Sequence, residues 1–91
     1  MITNLDFTEA LRTATNELCL IDLLVAEDWV TAAKAINEGL TRNGIIPRRV
    51  WDRAYVADIK ILRHTTNDLG LVGLLLHERW TQAAELIDLE V

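Results

Sequence analysis

One pattern is written twice in this chain. Residues 11–36 align on residues 62–87 without a gap, 51 residues apart, with 13 identities in 26 positions. Leucine-rich helices match one another by chance, so the weight rests on Thr15/Thr66, Asn16/Asn67, Trp29/Trp80, Ala32/Ala83 and Ala33/Ala84. Two copies at a spacing of 51 do not correspond to the usual solenoid repeat lengths. Either the chain carries an internal duplication, or two stretches answer to the same packing constraint. Both readings give the same expectation for the fold: an all-α bundle of two helix-turn-helix hairpins, oligomeric, in a single domain spanning 1–91. Repeat 1 covers about 6–43, a linker 44–47, and repeat 2 about 48–91.

Local signals place the helices. Asp6 with Glu9 three residues on is a capping-box pattern, which satisfies two amides at a helix start. The leading helix is expected to run from there to about Ala26. Asp28 is positioned to cap a second helix, whose apolar residues Trp29, Ala32, Ala33, Ile36 and Leu40 form a one-sided stripe. The counterpart stripe is Trp80, Ala83, Ala84, Ile87 and Val91. Asn43-Gly44 is a stop signal, because glycine accepts the left-handed conformation at a helix end. Pro47 suits the first turn of a third helix.

The leading helix of each copy is apolar on every side. Leu18–Val25 is interrupted only by Asp22, and Leu69–Leu76 contains no polar side chain. A helix that is apolar all round must be covered all round. A chain of this length buries only roughly 60–65% of its unfolded surface, yet 51% of these residues are apolar. The two segments are therefore expected to pack on each other about an approximate two-fold axis, with the remainder covered by another molecule. Leu20, Leu24, Leu71, Val72, Leu75 and Leu76 are the expected interface. Self-association as a homodimer or higher is the first reading, and a different protein partner the second. Gly70 and Gly73 admit two explanations, close helix–helix contact or a helix break between Asn67 and Gly70.

Charge divides the chain differently. Residues 42–64 hold six of the nine basic residues against Asp52 and Asp58, a balance of +4, so the remainder of a chain of net charge −5 carries −9. On one continuous helix, Arg49, Arg53, Lys60 and Arg63 would form a ridge, with Arg48 beside it. Trp51, Tyr55, Ile59 and Leu62 would form another ridge toward the core. The basic ridge is read as a solvated face, as a contact for an acidic protein surface, or as a site for an anion such as nucleotide or nucleic acid. A helix-turn-helix reader would use 28–43, the turn "NGIIP" and 47–64. The turn is long for that motif, and the acidic remainder repels DNA.

Groups for catalysis are few. The chain has no serine, and His64 and His77 lack neighbours at metal-ligand spacing. Neither a cofactor nor a metal is expected. Cys19, the single cysteine, is expected to be buried and inert within its apolar turn. One cysteine cannot form an intramolecular disulfide, which fits a reducing compartment. Asp22 is the residue that conflicts with its surroundings, and it must surface at a rim, pair with Arg53 or Arg63, or serve as an acid. The N-terminus lacks the basic and apolar regions of a signal peptide. The two apolar runs are far shorter than the roughly 20 residues of a membrane span. Together these features point to a cytoplasmic, non-enzymatic protein-interaction module, a small regulator or inhibitor of a larger macromolecule. The alternative is an anion binder acting through Arg48, Arg49, Arg53, Lys60 and Arg63.

Overall fold

The computed structural model describes residues 4–50 and 59–89. Six α-helices and one short 3-10 turn make up an all-α bundle, with no strand among the described residues. In chain order they are α1 (Asn4–Glu17), α2 (Leu20–Val25), α3 (Trp29–Arg42), α4 (Ile59–Asn67), α5 (Leu71–Leu76) and α6 (Trp80–Leu89), with the 3-10 turn at Arg48–Val50. Trp51, Tyr55 and Val91 lie outside the described residues.

The leading helix of each copy is not continuous, which corrects the expectation of one helix from Asp6 to Ala26. The chain passes unbroken through Thr15-Asn16 and Thr66-Asn67, then turns at Cys19 (φ 56°) and at Gly70 (φ 73°). Of the two explanations for Gly70, the break holds. Each copy is therefore three helices rather than two. Helical geometry supplies the reason. At 100° per residue, Leu20 would stand about 180° round a straight helix from Leu11, and Leu71 likewise from Leu62. The left-handed residue re-aims the chain, so that Leu11, Leu20 and Leu24 are all buried in one core with Leu62, Leu71 and Leu75.

Shifted by 51 residues, α2 falls on α5 and the start of α3 on the start of α6. The buried positions correspond as well: Leu11/Leu62, Ala14/Thr65, Leu20/Leu71, Leu24/Leu75, Ala32/Ala83, Ala33/Ala84 and Ile36/Ile87. Thr65, where the first copy has alanine, keeps its hydroxyl satisfied by donating to the Ile61 carbonyl at 2.8 Å. The expected stripes face inward on α3 and α6, with Trp29 and Trp80 half-buried at their starts.

Three helix ends share one hydrogen-bond pattern. After α3, the Gly44 amide donates to the Thr41 carbonyl (3.0 Å) and the Ile45 amide to the Leu40 carbonyl (2.9 Å), with Gly44 at φ 74°. After α2, the Glu27 and Asp28 amides donate to Leu24 and Leu23. After α5, those of Glu78 and Arg79 donate to Leu75 and Leu74. This is the Schellman arrangement, which uses the last carbonyls of a helix and needs a left-handed residue. Asp28 then caps α3 as expected, its carboxylate accepting from the Thr31 amide at 3.4 Å.

Helix α1 packs against both α3 and α6, and α4 against the same two helices. Phe7, Ala10, Leu11 and Ala14 are the buried face of α1. Alanines lie on the inner faces of α1, α3 and α6, which brings helix backbones close together. The tightest approach is at Gly39, where a Cβ would stand 2.5 Å from the Ala10 carbonyl oxygen. Asn43, at the end of α3, reinforces this crossing: its Nδ2 donates to Thr13 Oγ1 at 3.0 Å and to the Gly39 carbonyl at 2.8 Å.

The glycines make a direct test. Nothing lies within 4 Å of a Cβ built on Gly73, the residue for which close contact was the competing expectation. Gly39→Ala drives a methyl group into backbone that cannot yield, and is expected to destabilise the fold by about 1–3 kcal/mol. Gly73→Ala meets no obstacle inside a helix and is expected to stabilise by up to about 1 kcal/mol. Urea unfolding of both variants measures the contrast.

Candidate functional site

The short helices α2 and α5 pack against one another. Each is one-sided, as helical geometry requires of a six-residue segment with two core leucines. Leu20 and Leu24 of α2, and Leu71 and Leu75 of α5, point inward. Ile21 and Leu23, and their counterparts Val72 and Leu74, flank them half-buried. The outward residues are Asp22 and Val25 on α2, and Gly73 and Leu76 on α5.

Four of the six residues expected to meet another molecule are thus enclosed by their own chain. Leu20, Leu24, Leu71 and Leu75 are core residues, because the breaks at Cys19 and Gly70 turn them inward. Val72 is half-buried and Leu76 is 62% exposed. Val25, which was not among the expected interface residues, is 67% exposed at the position corresponding to Leu76. The matching of the two copies could have identified it, since whatever α5 presents at Leu76 α2 presents at Val25. Val30 and Leu69, at the ends of neighbouring elements, are also exposed.

The total accessible surface is 5336 Å². A compact folded chain of 10.3 kDa exposes about 5,350 Å² by the usual scaling with mass. Total area is therefore ordinary for one molecule. Among the described residues the large aliphatic side chains left outward are Leu5 on α1, Val25 at the end of α2, Val30 at the start of α3, Leu69 in the turn before α5 and Leu76 at the end of α5.

The charged residues around this face differ between the copies. Asp22, Ala26 and Asp28 correspond to Gly73, His77 and Arg79, while Glu27 and Glu78 are alike. Asp22 is exposed, so its carboxylate reaches water at the rim. His77 closes the end of α5 and is also exposed. Cys19 is exposed as well, which corrects the expectation of burial. The physical reason is again the break, which takes Cys19 out of any helix and turns it outward.

The expected basic ridge is not assembled on one helix among the described residues. Arg48 and Arg49 belong to the 3-10 turn, Lys60 and Arg63 are exposed on α4, and Arg53 lies outside the described residues. Arg48 reaches back to α3, its Nη2 donating to Glu38 Oε2 at 2.6 Å. Glu38 also accepts from Arg42 at 3.2 Å. Lys60, Arg63, His64, Asn67 and Asp68 line a shallow depression of about 290 Å³. Its floor is not uniformly cationic, since Asp68 stands 2.8 Å from His64 Nδ1.

Among the described residues there is no group of three or more His, Cys, Asp or Glu that could hold a metal ion. No described helix is long and apolar enough to cross a membrane. No protein-family model matches the chain, and no curated protein or solved structure matches it at a significant level.

The left-handed turns beside the exposed face carry glutamates, Glu27 at φ 59° and Glu78 at φ 56°. A side chain with a Cβ is disfavoured in that region, whereas glycine adopts it freely. Glu27→Gly and Glu78→Gly are each expected to stabilise the fold by about 0.5–1 kcal/mol. Chemical denaturation of the single variants and the double variant measures this. A loss of stability would mean that the glutamate side chains make contacts that outweigh the backbone strain.

Proposed function

We propose that this chain is a non-enzymatic protein-interaction module whose docking surface is the outward face of α2 and α5. The observation that carries this reading is the paired exposure of Val25 and Leu76 at corresponding positions of two helices that lie side by side. A single exposed aliphatic residue is ordinary on a protein surface, whereas grouped ones mark places where another molecule sits. On the same two helices Ile21, Leu23, Val72 and Leu74 are half-buried, and exposed Asp22, Glu27, Glu78 and Arg79 lie close to the pair along the chain.

The two halves descend from an internal duplication in this reading. The near-identity of the buried positions, and of the turns at Cys19/Gly70 and Glu27/Glu78, supports that origin. A small, acidic chain with one compact interaction face suits the role of a regulator or inhibitor that acts by occupying part of a larger macromolecule. An exposed, single thiol at Cys19 suits the reducing cytoplasm.

The alternative, an anion site involving the basic residues, has the Lys60–Arg63–His64 depression in its favour. It is the weaker reading, because Asp68 shares that depression and Arg48 is turned toward Glu38.

Replacing Val25 and Leu76 together by glutamate tests the proposal. Both side chains are exposed, so the change is expected to leave stability within about 0.5 kcal/mol of the parent. In affinity capture from an extract of the source cells, the parent chain is expected to retain a partner, and the double variant to retain at least ten-fold less of it. Equal retention by a folded double variant would refute the proposed face.

A further inference from the structure

We draw no further inference here: the strongest candidate, the open depression of about 370 Å³ between Thr8 of α1 and the start of α6 at Arg79–Gln82, is a helix N-terminus at which nothing points to a ligand, since none of the buried polar atoms left without a partner among the described residues, on Thr15, Asn37 and Thr66, lines it.

Discussion

A turn through the left-handed region at Cys19 and Gly70 decides which leucines of this chain meet one another. Without it, Leu20 and Leu24 would be carried to the far side of a helix whose inner face is Leu11 and Ala14. With it, the second half of each apolar run folds back over the same core. The cost is unequal. Gly70 adopts φ 73° freely, whereas Cys19 at φ 56° carries a Cβ in a region that disfavours it by roughly 1–2 kcal/mol. Burial of Leu20 and Leu24, each contributing about 1.5–3 kcal/mol, outweighs that strain.

Much of the bundle is written locally and can be read as such. The stripe from Trp29 to Leu40, the Asp28 cap and the Asn43-Gly44 stop depend on residues within one or two turns of each other, and each is found where its chemistry puts it. The break at Cys19 is harder to see, because neither glycine nor proline marks it. Its only trace is Gly70, at the corresponding position of the other copy. A helix without that break would carry Leu20, Leu24, Leu71 and Leu75 outward, whereas the break places them in the core. The close approach at Gly39 was not legible either, since its obstacle, the Ala10 carbonyl, is 29 residues away in the chain. Spacing likewise sets Arg48 beside a basic ridge, whereas in the fold it meets Glu38, ten residues before it.

The two matching stretches agree inside the bundle and differ on its surface. Inside, leucine stands against leucine, alanine against alanine and isoleucine against isoleucine, with Ala14/Thr65 the exception among the corresponding buried pairs. Outside, Asp22/Gly73, Ala26/His77, Asp28/Arg79 and Lys34/Glu85 change size or charge. A core packed to high density punishes changes of volume, so both copies keep the same interior. Exposed positions carry no such constraint, and there the two stretches differ.

That freedom makes the exposed aliphatic residues informative. At an outward position a polar side chain would leave stability nearly unchanged, and the rest of the outward surface of α2 shows as much by carrying Asp22. Val25 and Leu76 are aliphatic and exposed at corresponding positions of the two stretches. Helices of six residues are too short to persist unaided, so α2 and α5 hold their shape only through the leucine pairs beneath them. Their outward side is therefore fixed by the core beneath it, and a partner of the kind proposed need not supply the ordering energy of either helix.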